Sequence, residues 1–301
     1  MLSFGISDLA NFDDGALHVF LDPRDGGVDP DDLGRALQGS DATFAARVAA
    51  ALDDRASQRF RVAHATQSTP HTVDEARRRV LDALFWPLLY WNAPDRYEEL
   101  IAGEEIHPAI IDALDVDGRV VCDIGAGTGR FTLPVARRAR RVIAVDAVPM
   151  LLGRLERHAE ESGVRNIDLR RGSFTTLPLE DGSVDLAVAC SSFTPSGPHG
   201  GLHAVREAER VTRPDGAVAV IWPQQPDWFE AQGFEYLRFD GDDVRHFRSL
   251  DSAERLCRDF YSEEAVEWVR AHHSPDVPFR ILNTSPPNDV CIKRRAAIPS
   301  R

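Results

Sequence analysis

From about residue 97 onward, short apolar runs alternate with segments in which apolar residues recur at helical spacing. Runs that are apolar throughout are typical of strands buried on both faces of a sheet, and their alternation with helices indicates a parallel sheet. The pattern predicts five such strands, at 119–124, 141–146, 167–171, 184–190 and 217–222. It predicts intervening helices at 106–114, 131–138, 149–162 and 203–211. Right-handed crossovers between such strands give a doubly wound α/β fold.

The first 95 residues lack this alternation. The segment 16–21 indicates one strand, whereas 30–37, 43–52 and 73–89 have the spacing of helices. Thr72 is the expected N-cap of the helix at 73–89, and Glu75 is the capping-box partner of Thr72. We therefore expect two domains. Residues 1–95 form a mainly helical N-terminal extension, a cap, and residues 96–301 form the α/β domain.

A glycine-rich loop follows the first predicted strand and reads Asp123-Ile-Gly-Ala-Gly-Thr-Gly129-Arg130. Glycines at alternate positions let the backbone turn sharply and approach a ligand closely, and ligands of parallel sheets bind beyond the carboxyl ends of the strands. The dinucleotide fingerprint G-x-G-x-x-G requires glycine at position 130, where this chain has Arg130. A carboxylate at Asp123 is unfavourable beside a pyrophosphate but suits a cationic amino group.

The loop from Asp123 to Gly129 resembles the first motif of the class I S-adenosylmethionine-dependent methyltransferases, and the resemblance extends over about residues 97–221. It implies a Rossmann-like, mostly parallel seven-stranded sheet whose final strand is antiparallel. The two further strands would come from 234–239 and from either 277–282 or 289–293. It also implies S-adenosyl-L-methionine as the cofactor, which carries an amino group and a sulfonium charge but no phosphate.

The resemblance also implies individual contacts. Asp146, at the end of the second strand, matches the acidic residue that holds the ribose hydroxyls, and a carboxylate can accept both hydrogen bonds. Met150 would lie against the adenine. Ser173 stands where the family often has an acid that accepts a hydrogen bond from the adenine amino group. The full set of expected cofactor-binding residues is Tyr97, Asp123, Gly125, Ala126, Gly127, Thr128, Gly129, Asp146, Ala147, Met150, Gly172, Ser173, Phe174 and Cys190.

Methyl transfer depends largely on orientation of the nucleophile, and a general base helps when the nucleophile is a hydroxyl. His199 is our candidate base, because it follows the fourth strand and histidine titrates near neutrality; the alternative is an exposed loop histidine. The family's amino-methylating motif, Asn or Asp before Pro-Pro and an aromatic residue, is absent from this position. We therefore expect a small-molecule methyltransferase, with O-methylation slightly favoured. A non-catalytic cofactor-binding regulatory protein and an NAD-dependent oxidoreductase are the alternatives.

The composition of the chain limits the classes of binding partner that we expect. The chain has 35 basic and 48 acidic residues, a net charge of −13, which disfavours binding to a nucleic-acid backbone. It has no apolar stretch of the ~18 residues that a membrane helix needs and no signal-peptide pattern, so we expect a cytoplasmic protein without membrane contact. None of the four cysteines forms a C-x-x-C pair and no His, Asp and Glu cluster is evident, so we expect no metal. Whether the chain forms a homodimer stays open.

Overall fold

A computed structural model describes residues 2–21, 27–195 and 200–295 of the chain. The described residues divide into two compact units. One contains residues 3–94 together with residue 195 and residues 200–203. The other contains Leu2, residues 95–194 and residues 204–295.

The first unit is helical, as expected for the N-terminal extension. Its helices bury one continuous set of leucine, alanine and phenylalanine side chains. A short 3₁₀ helix at Ile6–Asn11 is followed by α1 (Asp14–Leu21), α2 (Pro30–Ala36), α3 (Ala42–Ala51), α4 (Asp54–Ala65), α5 (Pro70–Ala83) and α6 (Phe85–Asn92).

Two local predictions in this unit are wrong. The segment 16–21 belongs to helix α1 and not to a strand, because Asp13 accepts a hydrogen bond from the Ala16 N–H (2.7 Å) and so provides a helix start. The N-cap of α5 is Thr69 and not Thr72. The Thr69 hydroxyl accepts the Thr72 N–H at 3.2 Å, and proline occupies the first turn, where its missing N–H costs nothing.

The second unit contains a seven-stranded sheet in the order β3-β2-β1-β4-β5-β9-β6. The first five strands are parallel, and β9 runs antiparallel to both of its neighbours. Its strands are β1 (Val120–Ile124), β2 (Arg141–Asp146), β3 (Ile167–Arg171), β4 (Val184–Cys190), β5 (Thr212–Ile221), β6 (Glu235–Arg238) and β9 (Asp289–Arg294). The doubly wound, mostly parallel sheet and its antiparallel final strand are confirmed.

Helices connect these strands, and a separate two-stranded ribbon lies outside the sheet. The ribbon consists of β7 (Val244–His246) and β8 (Asp276–Pro278). Thus 289–293 supplies the sheet strand, whereas 277–282 contributes only to this ribbon. The helices are α7 (Pro94–Ile101), α8 (Pro108–Ala113), α9 (Thr132–Ala136), α10 (Pro149–Glu161), α11 (Gly201–Val211), α12 (Pro226–Ala231), α13 (Leu250–Phe260) and α14 (Glu263–His272).

Both faces of the sheet are covered, which explains why its strands are apolar throughout. All five residues of β1 are buried. Cys122 packs in the cluster that contains Val205 of α11, and Val121 packs in the cluster that contains Ile110 of α8 and Val135 of α9. Because β1, β2 and β4 are parallel, their carboxyl ends meet at one edge, and the loops that follow them form the candidate site.

The described residues were searched for membrane-spanning helices, metal-binding clusters and disulfides. No helix among them has an apolar stretch long enough to cross a bilayer. Nor do they hold a group of three His, Cys, Asp or Glu side chains that could bind a metal ion. The four cysteines are free thiols, and three of them are buried.

Candidate functional site

The glycine loop joins β1 to α9 and takes a backbone shape that glycine favours. Gly125, Gly127 and Gly129 have φ angles of 76°, 55° and 103°, all in the left-handed region. The N–H groups of Gly125 and Ala126 donate to the carbonyl of Val145 in β2, at 2.8 and 3.0 Å. The loop is therefore pinned to the neighbouring strand at the carboxyl edge of the sheet.

Tyr97, from α7, lies over the middle of this loop. A Cβ placed on Gly127 would sit 2.9 Å from the Tyr97 hydroxyl oxygen, so the close approach requires glycine. Burial raises the pKa of Tyr97, and the charges of Asp146 and Glu104 add to this while Arg130 opposes it. The phenol is therefore a neutral hydroxyl at physiological pH. The structure thus places Tyr97 at the loop, and its contact with a cofactor stays a prediction.

Asp123 is the penultimate residue of β1, directly before the loop, and is 1% exposed. One carboxylate oxygen accepts the Thr132 hydroxyl, and the other, Oδ1, has no hydrogen-bond partner among the described residues. Burial raises the pKa of Asp123 to about 7; the charge of Asp146 adds to this, while the Thr132 hydrogen bond and Arg130 oppose it. A buried carboxylate oxygen left unpaired is costly, so the site suits a ligand with a cationic amino group.

Asp146, at the end of β2, organises the loop of the neighbouring strand. Its Oδ2 accepts the Gly127 N–H and its Oδ1 accepts the Val148 N–H, both at 2.8 Å. Burial raises its pKa, and backbone hydrogen bonds from Val148, Gly127 and Ala147 oppose the shift. A carboxylate offers about four acceptor positions, more than these backbone groups occupy, so Asp146 can also accept a hydroxyl group such as that of a ribose. The structural role of Asp146 toward Gly127 was not predicted from the sequence.

The segment after β3 comes to the same edge. The Gly172 N–H donates to the Asp146 carbonyl at 3.1 Å. Ser173 follows in a turn, and the Phe174 ring meets Phe193, which lies beyond β4, edge-on at 5.6 Å. Gly172 thus contacts Asp146, and the Phe174 ring lies beside the glycine loop, 3.0 Å from a Cβ placed on Gly125.

The remaining predicted site residues differ in how far their side chains are exposed to solvent. Met150 lies in the first turn of α10 and is 39% exposed, so its side chain is free to meet a flat ring. Ala147 lies between Asp146 and that helix, and Thr128 is buried within the glycine loop. Cys190 ends β4, and burial raises the pKa of its thiol. His199 lies outside the described residues, so its role as a base stays a prediction.

Two charged groups at the site, Glu104 and Arg245, were not predicted. Glu104, between α7 and α8, is 7% exposed and pairs with Arg130 through Oε2 and with Arg245 through Oε1. Arg245, from β7, is fully buried and also donates to the Tyr261 hydroxyl and the Leu100 carbonyl. In the sequence, Arg130 stood out only as the departure from the dinucleotide fingerprint, and no motif marked its partner Glu104 or the second partner of Glu104, Arg245.

Residues 121–216 match a family model described as a methyltransferase domain. An uncharacterised methyltransferase-like protein of Schizosaccharomyces pombe is 34% identical over 117 residues, 37% of this chain and 42% of that protein. An uncharacterised methyltransferase of Mycobacterium tuberculosis is 34% identical over 142 residues, 46% of this chain and 55% of that protein. The chain thus spans about half the length of these relatives. Among solved structures, a SAM-dependent methyltransferase from Aquifex aeolicus aligns at 18% identity with a TM-score of 0.39, over 46% of this chain and 82% of that one.

Proposed function

We propose that this chain, whose residues 121–216 belong to the class I S-adenosylmethionine-dependent methyltransferase family, transfers a methyl group from S-adenosyl-L-methionine to a small molecule. The observation that carries the proposal is the glycine loop held between two buried carboxylates, one of which has an oxygen without a partner among the described residues. When bound, the cofactor supplies a methyl group made electrophilic by its sulfonium charge.

The residues of the loop fit such a ligand. Asp123 would accept the amino group through its unpaired Oδ1, and Asp146 would accept ribose hydroxyls at the positions that its backbone partners leave free. Gly127 lets the Tyr97 hydroxyl approach the backbone of the loop closely, so this tyrosine would border the bound ligand. Fixed donors and acceptors of this kind act by orienting the reacting groups.

The nature of the acceptor is proposed from the sequence and the charge of the chain. An oxygen nucleophile is favoured because the chain after β4 reads Ser-Ser-Phe-Thr-Pro, without the amino-methylating motif. His199, in the same connection, is the proposed base. A net charge of −13 argues against a nucleic-acid substrate, and the free thiols agree with a reducing, cytoplasmic setting.

Calorimetric titration of the purified protein with S-adenosylmethionine, S-adenosylhomocysteine and NAD tests the proposal. We expect both adenosyl ligands to bind and NAD not to bind. Binding of NAD alone would overturn the proposal in favour of an oxidoreductase. If the adenosyl ligands bind, a screen of small hydroxylated acceptors for release of S-adenosylhomocysteine separates an enzyme from a regulatory protein that only binds the cofactor.

A further inference from the structure

Asp289, like Asp123, is a buried carboxylate with an unpaired oxygen. It is the first residue of β9 and is 6% exposed. Its Oδ2 accepts the hydroxyl of the half-buried Tyr236 at 3.0 Å, and its Oδ1 has no hydrogen-bond partner within the described part of the chain. Burial raises the pKa of Asp289, while the Tyr236 hydrogen bond and the charge of Arg238 oppose the shift. A buried oxygen of this kind is costly unless a donor pairs with it, so it marks a place for a ligand group.

Asp289 lies at the same edge of the sheet as the glycine loop. Because β9 is antiparallel to β5, its first residue stands beside the carboxyl end of β5, and the Trp222 N–H donates to the Asp289 carbonyl at 2.9 Å. Neighbouring strands are about 4.8 Å apart, so Asp289, two strands beyond β4, is on the order of 10 Å from the end of β4. The cofactor groups assigned to Asp146 on β2 and to Asp123 on β1 lie on the other side of β4. This part of the edge is therefore the part available to an acceptor.

Asp289 and Asp123 lie on opposite faces of the sheet. Side chains alternate between the two faces along a strand, so Asp289 shares a face with Cys291, which packs in the same cluster as Cys122. By the same alternation Asp123 lies on the other face, with Val121. The amino group placed at Asp123 is therefore too far away to pair with Asp289, and the two carboxylates require two different ligand groups.

The face that carries Asp289 also carries aromatic side chains. Phe174 lies beside the glycine loop, and its ring meets that of Phe193 edge-on at 5.6 Å. Phe193 belongs to the apolar cluster of this face, and Trp228 and Tyr236 pack against the same cluster. An acceptor that extends from the loop along this face would contact aromatic rings and end at the Asp289 carboxylate. Such a surface suits a molecule with an aromatic body and a polar end.

The charge of the chain favours a cationic donor at Oδ1 over a neutral one. A net charge of −13 raises the local concentration of cations around the protein. Arg238 affects the ionisation of Asp289, but it is exposed, so water and salt screen its charge and it does not neutralise the buried carboxylate. An ammonium group would supply both the missing donor and the countercharge, in a charge-assisted hydrogen bond.

We propose that Asp289 binds the ammonium group of the acceptor and that Tyr236 is the positioning residue that orients its carboxylate. The acceptor is then an aromatic amine whose methylated hydroxyl stands at the opposite end of the molecule from the ammonium group. This inference rests on the proposed function and narrows its acceptor from a small molecule to an amine.

The test compares tyramine with para-ethylphenol, which share a phenol and a two-carbon chain and differ in the ammonium group. Each is titrated calorimetrically, at about pH 8 where the amine stays protonated, into protein saturated with S-adenosylhomocysteine. The one-carbon and three-carbon homologues of tyramine are titrated with their neutral counterparts, para-cresol and para-propylphenol, so that the result does not depend on one chain length. We expect at least one amine to bind at least about tenfold more tightly than its neutral counterpart, as for a charge-assisted hydrogen bond.

Asp289→Asn keeps the shape of the side chain and removes its charge. In this variant the preference for the amine should disappear, while affinity for the neutral phenol changes less than about twofold. The matched control is Asp240→Asn, which removes an exposed carboxylate just beyond β6 and should leave the preference unchanged. A preference that also disappears in the control would show general attraction of cations and overturn the proposal.

Tyr236→Phe tests the positioning role. It removes the hydrogen bond to Oδ2 and should lower affinity for the amine by about twofold to tenfold while sparing the neutral phenol, whereas a merely structural role would weaken both ligands together. Circular dichroism and the melting temperature check each variant. If Asp289→Asn does not fold, the ligand-selective loss in Tyr236→Phe decides the question.

The outcomes separate this proposal from the proposed function. If S-adenosylhomocysteine binds but no amine of the series is preferred, or if the preference survives in Asp289→Asn, the assignment of the acceptor ammonium group to Asp289 is overturned. Wild-type protein that does not bind S-adenosylhomocysteine refutes the proposed function itself.

Discussion

The unpaired carboxyl group of Asp123 should make cofactor binding depend on pH. Its pKa is raised to about 7 by burial, so about nine-tenths of the free protein holds a proton there at pH 6. A cationic amino group placed beside Oδ1 favours the ionised form, and the proton must then leave. We expect S-adenosylhomocysteine binding to release about 0.9 proton at pH 6 and about 0.1 at pH 8.

The same pKa fixes the sign for stability of the ligand-free protein. The pKa of Asp123 in the folded protein lies above the ordinary value of 3.8, so the protonated carboxyl group stabilises the folded state. This contribution is fully present below pH 3.8 and is lost as the pH rises through about 7. The free energy of unfolding should therefore fall between pH 4 and 7, by at most about 4 kcal/mol from this group.

The assay is calorimetric titration of S-adenosylhomocysteine at pH 6 in phosphate and in bis-Tris, which differ in their enthalpy of ionisation. Asp123→Asn keeps the shape and removes the titrating group. The charged groups facing it are Asp146, whose pKa is also raised by burial, and Arg130, which stays protonated, so proton release that survives in Asp123→Asn is assigned to Asp146. The control is Asp168→Asn on β3, an outlying carboxylate already paired with arginines.

Equal binding enthalpies in the two buffers for the wild-type protein would refute this reasoning. So would an Asp123→Asn variant that releases as many protons as the wild type. Either result would mean that no cation reaches Oδ1, and the assignment of the amino group to this carboxylate would have to be withdrawn.

Three further predictions concern the loop and its neighbours. Asp146→Ala leaves the N–H groups of Gly127 and Val148 without their acceptor, so urea denaturation should show a loss of about 2–4 kcal/mol in the free energy of unfolding. Affinity of this variant for S-adenosylhomocysteine should fall at least about tenfold. Unchanged stability and affinity would contradict the assignment of Asp146. Gly129→Ala should lower the free energy of unfolding by at least about 1 kcal/mol in the same assay, because the φ angle of Gly129 is 103° and the new Cβ would lie 2.4 Å from Leu155. The control is Gly153→Ala on the open face of α10, which should raise the free energy of unfolding by about 0.5–1 kcal/mol. His199→Ala should lower kcat at least about a hundredfold in the acceptor assay without weakening cofactor binding, and full activity would exclude it as a base.

The sheet could be predicted closely from sequence because burial on both faces leaves an unmistakable pattern. The predicted bounds 141–146, 167–171 and 184–190 agree with the structure at both ends. The fifth strand begins five residues earlier than predicted, at Thr212, because its Pro-Asp-Gly segment indicates a turn. The structure accommodates that segment within the strand through a shift of register against β4.

Helical parts were harder to predict where the segments are short. The segment 16–21 is apolar apart from His18, a composition that also fits a strand, whereas in the structure Ala16, Leu17 and Leu21 pack into the helical core as part of α1. A local signal was nonetheless present, since Asp13 stands where an N-cap is expected. Capping residues therefore deserve more weight than apolar spacing in segments of six to eight residues.

The motif residues of the site could be predicted because they are neighbours in the chain, whereas the charges that surround them could not. Glu104 and Arg245 are 141 positions apart, and their pairing requires the ribbon strand β7 to pass beside the segment that precedes α8. That approach is so close that a Cβ on Gly103 would lie 2.2 Å from the His246 carbonyl oxygen. No period or spacing encodes such a contact. The glycine loop is encoded locally and predicts the class of cofactor. The charges that surround the loop depend instead on long-range pairs of this kind. Arg130 lies where the local motif meets these distant charges, so a substitution there tests what they contribute.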